Sequence, residues 1–345
     1  MPPVRVFLCT YRRPRLLRRA LAGLLAQTHS DWICELHNDA PGDPSPRTVM
    51  DELAPHDPRF VYHDHTHNWG ALATFGHAYT GGPEPFASLL EDDNWWEPDF
   101  LAASLRALAL HPSASLVWAN MKIWQEQPDS QWIDTGRTIW SPSPGASVSP
   151  LLAFSAPELL QAFDALHSQG AMVFRPERFR PAPLPTSLPL AIIEPARERA
   201  ALGPLLFLTT PLAHFARTLG TARDADPARW LQAKLLVAAS FLQNVSVPPA
   251  AYAAMWAQRR AQRPRDTGLF FCLALALRDP SLLRPAQWGD WIHFILSAVR
   301  HPRRLARGLS FRRDQPEVWA WFVAQTRSLS SPVASATVLS KQIPS

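Results

Sequence analysis

The first 120 residues alternate between short apolar runs and segments with helical spacing, and this alternation limits the folds that the chain can adopt. Apolar, β-prone runs occur at 4–9, 32–37, 60–63, 86–90 and 116–119. The segments between them repeat their apolar residues at helical intervals, as Leu17, Leu21 and Leu24 do. Strand–helix alternation with short turns predicts an α/β fold whose mostly parallel sheet is flanked by helices.

Polar clusters follow three of these predicted strands. They are Thr10-Tyr11-Arg12, Asn38-Asp39 and Glu91-Asp92-Asp93. Ligands of parallel α/β sheets bind beyond the carboxyl ends of the strands, so the three clusters are expected to share one site. Adjacent carboxylates are hard oxygen ligands that suit Mg²⁺ or Mn²⁺ carrying a diphosphate. Three acids can also form a solvated turn, but their agreement with the other clusters favours a metal site.

Composition and cysteine usage indicate a cytoplasmic protein. The chain has 345 residues and three widely spaced cysteines, which form neither a metal-ligand spacing nor a disulfide framework. No secretory signal is recognisable at the start. The longest apolar run, at 269–277, is far shorter than the roughly 20 residues of a membrane span. We therefore expect a soluble protein, or one bound peripherally at the inner membrane surface.

The C-terminal part differs from the rest in pattern and charge. Residues 125–150 are predicted to form a partly irregular excursion and 205–208 a strand, and from about 225 the spacing turns helical. Six arginines crowd 300–313, where they could meet anionic lipid or an acidic substrate, or only form a solvated face. Nucleic acid is not expected, because no recognised motif accompanies the charge. The predicted units are a catalytic domain at 1–220, a helical arginine-rich region at 221–330 and a disordered tail at 331–345.

Five motifs in order resemble glycosyltransferase family 2. The segment after the first strand, Cys9-Thr10-Tyr11-Arg12-Arg13, is similar to the opening of that family. The other four are Gln27-Thr28-His29 with Trp32, His37-Asn38-Asp39-Ala40-Pro41-Gly42-Asp43, His67-Asn68-Trp69-Gly70, and Leu90-Glu91-Asp92-Asp93-Asn94 with Pro98. The resemblance covers about 4–120 well and extends weakly to about 220.

The resemblance implies a GT-A fold, which is a Rossmann-like sheet flanked by helices, here with a C-terminal helical extension. It implies inverting transfer of a sugar from a nucleotide-diphosphate donor, UDP- or dTDP-type, to a saccharide or lipid-linked acceptor. Asp39 falls on the position that binds the base, and Glu91 and Asp93 fall on the two metal-binding acids of Mn²⁺ or Mg²⁺. The remaining expected contacts to the nucleotide sugar are Thr10, Tyr11, Arg12, Asn68 and Asp92.

Several departures from the family pattern keep other functions open. Thr74-Phe75-Gly76 stands where an arginine is usual, and Pro195 replaces the acid that most often serves as the general base. Glu194 is therefore the leading candidate for the base, with Asp134 and Asp164 as alternatives. A catalytically impaired nucleotide- or glycan-binding protein on the same fold is the rival. A nucleotidyltransferase would want a basic glycine-rich loop after the first strand, which this sequence lacks.

Two groups of residues near the motifs allow more than one interpretation. His63, His65 and His67 alternate along an extended segment, but no further converging ligand is visible, so a loop-facing polar edge is favoured over a metal site. Trp95 and Trp96 could stack on an acceptor sugar or belong to the core.

Overall fold

The computed structural model describes residues 2–142, 148–154, 169–178, 204–219 and 280–314, with a few single positions elsewhere. Most of the region that the sequence predicts to be helical from about 225 lies outside the described residues, apart from 280–314 and scattered positions. The tail at 331–345 lies outside them entirely. The domain boundary near 220 stays a prediction for the same reason.

In the described part of the chain, ten strands form one sheet, and four of them follow the predicted parallel pattern. The strands are β1 (Val4–Thr10), β2 (Trp32–Asn38), β3 (Phe60–Asp64), β4 (Phe86–Glu91), β5 (Trp95–Trp96), β6 (Leu116–Glu126), β7 (Trp132–Thr138), β8 (Leu151–Phe154), β9 (Met172–Phe174) and β10 (Leu205–Arg217). Strands β3, β2, β1 and β4 lie side by side in parallel. The predicted α/β fold is confirmed.

The other six strands of the sheet pair in mixed directions. Strand β9 lies antiparallel between β4 and β6, while β6 and β10 pair in parallel. Strands β5, β7 and β8 add antiparallel edges. Within the partly irregular excursion predicted at 125–150, Trp132–Thr138 is regular and pairs with the extended end of β6. Hydrogen bonding to the edge of β6 stabilises this strand, although its own sequence has only a weak preference for β structure.

Strand β10 runs further than the predicted 205–208, although it contains a proline. The register of its pairing with β6 shifts between Leu208 and Pro211 and again between Pro211 and Ala213. Proline has no N–H to donate to a ladder, so the strand continues only through this irregularity. The continuation matters for the site, because it brings His214 beside Trp95.

Helices cover both faces of the sheet. In the described part of the chain the helices are α1 (Pro14–Leu25), α2 (Ser45–Leu53), α3 (Gly70–Ala78), α4 (Phe100–Leu110), α5 (Trp288–Arg300) and α6 (Pro302–Asp314). Helices α1, α2 and α4 pack on one face of the sheet and α3 packs on the other. Val6 and Leu8 of β1 point into one core with α1, α2 and α4, whereas Phe7 points into a second core with the end of α3. The alternation of side chains along a strand therefore decides which side chains face α3.

Among the described residues, no helix is long and apolar enough to cross a membrane.

Helix α1 approaches β5 closely at Gly23. A Cβ atom placed there would lie 3.0 Å from the backbone nitrogen and 3.1 Å from the carbonyl oxygen of Trp96. We expect Gly23→Leu to destabilise the protein by about 1–3 kcal/mol, since backbone atoms of a paired strand cannot move aside. Urea denaturation measures the change. Gly289→Leu is the control, because a Cβ there meets nothing within 4 Å, and equal losses in both variants would contradict the packing argument.

Candidate active site

The carboxyl ends of β1, β2 and β4 bring the three predicted polar clusters together. Thr10 lies opposite Asn38 in the sheet, and Cys9 lies opposite Glu91. The carbonyl oxygen of Thr10 accepts the backbone N–H of Asp39 at 3.0 Å. The Thr10 hydroxyl donates to Asp92 Oδ2 at 2.9 Å. One residue thus joins the Asp39 turn to the acidic triplet.

Asp92 is the buried member of the triplet, with 7% of its surface exposed. Besides Thr10, its carboxylate accepts from the backbone N–H of Tyr11 and lies 3.4 Å from Arg13 Nη1. Burial and the charge of Asp93 raise the pKa of Asp92 to about 6. Its side chain is therefore committed to contacts within the protein.

Glu91 and Asp93 have different surroundings. Glu91 Oε2 accepts from Asn94 Nδ2 at 2.5 Å, and Asn94 Oδ1 in turn accepts the backbone N–H of Ala216 at 3.0 Å. Asp93 Oδ2 lies 3.3 Å from Arg13 Nη1. Both acids are partly exposed. They are the two members of the triplet whose carboxylates can offer hard oxygen donors to a divalent ion.

The structure brings Arg13 to the acids, whereas the sequence singled out the neighbouring Arg12 as a contact to the nucleotide sugar. Arg12 has a left-handed backbone conformation with φ of 56°. This turn leaves Tyr11 and Arg12 exposed, with the Arg12 guanidinium 5.2 Å from the Tyr11 ring centre. The spacing of the residues could not predict the contact of Arg13 with the acids, because that contact depends on the left-handed backbone angle of Arg12.

Asp39 anchors the loop that precedes α3. Its carboxylate accepts the backbone N–H of Trp69 at 2.6 Å and that of Gly70 at 3.0 Å, and Oδ1 lies 2.9 Å from His65 Nδ1. Gly70 has φ of 76°, which favours glycine. Asn68 is exposed on the same loop.

Asn38, the residue before Asp39, holds the turn on its other side. Its amide donates to the carbonyl oxygen of Asp43 at 2.9 Å and to Asp64 Oδ1 at 2.8 Å. Its own oxygen accepts the backbone N–H of Ala40 at 3.1 Å. An asparagine can make both kinds of contact and an aspartate cannot, so this position favours the amide.

The two tryptophans after the triplet have different roles. Trp96 is buried, with 2% exposure, and donates from Nε1 to the carbonyl oxygen of Gly170. Trp95 is stacked on His214 with ring centres 4.5 Å apart, and the guanidinium of Arg19 lies 3.8 Å from its ring centre. Because the Trp95 ring carries both of these neighbours, it is a poor platform for a sugar.

Arg19 connects this aromatic group to the triplet. Its guanidinium lies over the rings of Trp95 and Trp132, at 3.8 and 4.0 Å, and donates to the carbonyl oxygen of Asp93 at 2.8 Å. Burial lowers the pKa of Arg19 to about 10, which leaves it charged at neutral pH. The contact fixes the backbone of Asp93. Nothing in the sequence distinguishes Arg19 from the other arginines of α1.

His214 was also missed, because only the long course of β10 brings it here. Its Nδ1 accepts from Trp124 Nε1 at 2.9 Å, and its Nε2 lies 3.1 Å from Glu97 Oε1. Burial lowers its pKa to about 4, so the ring is neutral and donates from Nε2. Glu97 also binds Lys122 at 2.9 Å.

In the described part of the chain, no hydrogen bond or ion pair links a candidate for the general base to the acidic triplet. Glu194 and Asp164 lie outside the described residues. Asp134 is exposed on β7, where its Oδ1 accepts the backbone N–H of Gly136 at 2.9 Å.

The three alternating histidines do not stay together. His67 is exposed, but His65 is buried with 7% exposure, so a loop-facing polar edge is wrong for His65. His63 and His65 both contact His37 of β2. Side chains from β2 and α3 lie beside them: Glu35, His37 and His77 have side-chain atoms within 4.8 Å of one another.

The family comparison agrees with this geometry. Residues 5–152 match the family described as "Glycosyl transferase family 2". The chain therefore carries a glycosyltransferase family 2 domain, which confirms the resemblance of its motifs. No curated protein matches the sequence of the chain.

Solved structures with a similar fold include residues 1–349 of TarS from S. aureus. The complex of that protein with UDP aligns with a TM-score of 0.52 at 12% identity, over 91% of this chain and 92% of the other. The complex with UDP-GlcNAc aligns with a TM-score of 0.50 at 12% identity and the same coverage. At this identity the likeness concerns the fold, and the predicted GT-A fold is confirmed.

The raised pKa of Asp92 predicts a specific pH dependence of stability. The folded pKa of about 6 exceeds the ordinary value of 3.8, so protonation favours the folded state and this carboxylate opposes folding at neutral pH. Between pH 7 and pH 4 the wild type should gain roughly 2–3 kcal/mol of unfolding free energy relative to Asp92→Asn. Urea denaturation in chelator measures both proteins, and parallel pH profiles would contradict the assignment.

Proposed function

We propose that the protein is an inverting glycosyltransferase that moves a sugar from a nucleotide-diphosphate donor to an acceptor hydroxyl. The observation that carries this proposal is the meeting of Thr10, Asp39 and the acidic triplet at one edge of the sheet, in a domain of glycosyltransferase family 2. That edge is where open α/β sheets bind ligands. A nucleotide diphosphate is a poor leaving group unless its charge is balanced, and this site concentrates the groups that can do so.

The residues present fit a divalent ion, Mn²⁺ or Mg²⁺. Asp92 is turned into the protein by Thr10 and Arg13, which leaves Glu91 and Asp93 as the oxygen donors. A bound divalent ion would neutralise charge on the departing diphosphate. Arg13 lies beside Asp93 and supplies a further positive group toward that phosphate. Arg19 holds the Asp93 backbone in place.

Asp39 is the proposed contact to a uracil or thymine base. In the described part of the chain, Oδ1 accepts from Trp69 and contacts His65, whereas Oδ2 accepts only from Gly70. A carboxylate oxygen can accept a second hydrogen bond, so Oδ2 can also accept a pyrimidine N–H. This supports a UDP- or dTDP-type donor. Tyr11, Arg12 and Asn68 are exposed and adjoin Thr10 and Trp69, which both contact Asp39, so they are the further proposed contacts to the nucleotide sugar.

The acceptor half of the site is proposed at the aromatic group of Arg19, Trp95 and Trp132. Arg19 lies over the Trp132 ring as it does over Trp95, but Trp132 meets Trp95 edge to face, whereas His214 is stacked on Trp95, so we propose Trp132 as the ring that carries the acceptor saccharide. Glu194 remains the proposed general base, which would take the proton of the acceptor hydroxyl. Asp134 and Asp164 are the alternatives.

A metal-binding variant tests the proposal. With a panel of UDP- and dTDP-sugars and Mn²⁺, we expect slow donor hydrolysis that Asp93→Ala lowers by roughly 100-fold or more, because Lewis-acid stabilisation contributes several kcal/mol to such a reaction. Released nucleotide is the measured product. Asp51→Ala is the control, since Asp51 is an exposed acid on α2 that pairs only loosely with Arg47.

The same assay separates the enzyme from its rival. Tight nucleotide binding without hydrolysis or transfer would establish a binding protein on this fold instead. Glu194→Gln should bind UDP as the wild type does while hydrolysis falls. Full activity in Glu194→Gln would move the base role to Asp134 or Asp164.

We also propose peripheral contact between helix α5 and an anionic membrane. Five large apolar side chains on α5 are exposed, by 47% to 85%, and their spacing places them on one side of the helix: Trp288, Ile292, Ile295, Leu296 and Val299. We call them the α5 stripe. Exposed arginines follow at once, among them Arg300, Arg303, Arg312 and Arg313. An apolar stripe beside basic side chains is typical of helices that lie in a membrane interface.

Vesicle sedimentation tests this contact. The wild type should bind vesicles containing phosphatidylglycerol and lose most of that binding when Ile292 and Ile295 are both changed to Asn. Leu110→Asn is the control, because Leu110 is 78% exposed on α4, away from the α5 stripe. Unchanged binding of the double variant, or equal binding of the wild type to uncharged vesicles, would contradict the proposal.

A further inference from the structure

A group of four histidines and one glutamate lies under helix α3, on the face of the sheet that α1 does not cover. We call Glu35, His37, His63, His65 and His77 the histidine cluster. Glu35 and His37 are two residues apart on β2, so they point to the same face. His63 lies opposite His37 in the sheet, and His77 comes from the last turn of α3. Three separate elements therefore converge on one point.

One carboxylate oxygen is at the centre of the histidine cluster. Glu35 Oε2 lies 3.3 Å from His37 Nε2, 3.5 Å from His77 Nε2 and 3.9 Å from His63 Nε2. The ligand atoms of Glu35, His37 and His77 all lie within 4.8 Å of one another. Ligands around a tetrahedral Zn²⁺ ion with bonds near 2.0–2.1 Å are roughly 3.3 Å apart, so the widest separation in this set would contract by up to about 1.5 Å when the ion binds.

The hydrogen bonds that run from Glu35 through His37 and His65 to Asp39 need one more proton than two neutral histidines supply. Glu35, His37, His65 and Asp39 form a chain with three contacts, of 3.3, 3.0 and 2.9 Å. Each contact requires one proton, but two neutral imidazoles carry only two N–H groups. A cation on His37 Nε2 resolves this, because His37 then donates to His65 and His65 donates to Asp39.

The charges around the cluster favour a cation as well. Arg5 binds Glu84 through two hydrogen bonds of 2.7 Å and Glu35 Oε1 through a third of 2.7 Å. One guanidinium thus faces two carboxylates, which leaves a net negative charge beside the histidines. Arg5 also fixes the orientation of Glu35, so that Oε2 points to the histidines.

His63 contributes a ring nitrogen with no hydrogen bond. Its Nε2 is buried and has no hydrogen-bond partner in the described part of the chain. The ring is stacked on His37 at 4.6 Å and 14°. A buried imidazole nitrogen that faces a carboxylate oxygen at 3.9 Å can complete a four-ligand set.

We propose that Glu35, His37 and His77 form a zinc-type transition-metal site, with His63 as the fourth ligand, that fastens α3 to β2. Imidazole and carboxylate ligands in a four-coordinate arrangement suit Zn²⁺, whereas Mg²⁺ and Mn²⁺ prefer oxygen sets such as Glu91 with Asp93. His65 and Asp39 are the outer partners that orient His37.

Metal binding to the full-length protein tests the site, with the Asp93→Ala background used to remove binding at the acidic triplet. After chelator treatment, we expect one equivalent of Zn²⁺ to bind and to raise the melting temperature. Co²⁺ should give the strong visible absorption of a four-coordinate ion. His77→Phe keeps the aromatic contacts to Phe7 and Trp69, and it should weaken Zn²⁺ binding at least about 10-fold.

The controls separate this site from adventitious binding and from misfolding. His67→Ala removes an exposed histidine outside the cluster and should leave Zn²⁺ binding unchanged. His77→Phe without metal should melt at the temperature of the metal-free parent, and His63→Phe provides a second ligand variant. Equal Zn²⁺ affinity in His77→Phe and its parent, or no binding by the parent, would overturn the proposal. If the parent binds no Zn²⁺, a third proton instead of a metal ion must complete the hydrogen bonds from Glu35 through His37 and His65 to Asp39.

Discussion

The contacts of Thr10 hold the candidate active site together. Its carbonyl oxygen accepts the N–H of Asp39, and its hydroxyl donates to buried Asp92. These two bonds join the ends of three parallel strands, beside the contacts that Tyr11 and Arg13 make with the triplet. Asp92 has an unfavourable burial, seen in its raised pKa, and the Thr10 bond partly offsets it. The site therefore depends on one short polar side chain at the end of β1.

Much of the first half of the fold could be predicted from the sequence. The strands at Val4–Thr10, Trp32–Asn38 and Phe86–Glu91 are short apolar runs, and buried parallel strands have that pattern. Because parallel strands end at the same edge, the position of Thr10, Asp39 and Glu91–Asp93 followed from strand order alone. The helix at Pro14–Leu25 likewise begins with a proline and buries Leu17, Ala20, Leu21 and Leu24 at helical intervals.

The rest of the site depends on tertiary contacts that leave no local pattern. Arg13 faces the acids because Arg12 has a positive φ angle, and no spacing rule indicates that angle. Arg19 gains its role only because Gly23 lets α1 approach β5 and because β7 supplies Trp132. His214 reaches Trp95 only because β10 continues past Pro211. Residues distant in sequence make each of these contacts, so composition and periodicity cannot reveal them.

Strand β2 links the two faces of the sheet through its last residues. Glu35 and His37 face α3, while Asn38 and Asp39 form the turn at the active-site edge. The contacts from His37 to His65 and from His65 to Asp39 connect these positions, and Asp39 in turn holds the N–H groups of Trp69 and Gly70. Any group that fixes His37 therefore also fixes the loop that starts α3. The proposed nucleotide contact at Asp39 and the proposed metal site at Glu35 thus share one chain of hydrogen bonds, although they need ligands of different chemistry.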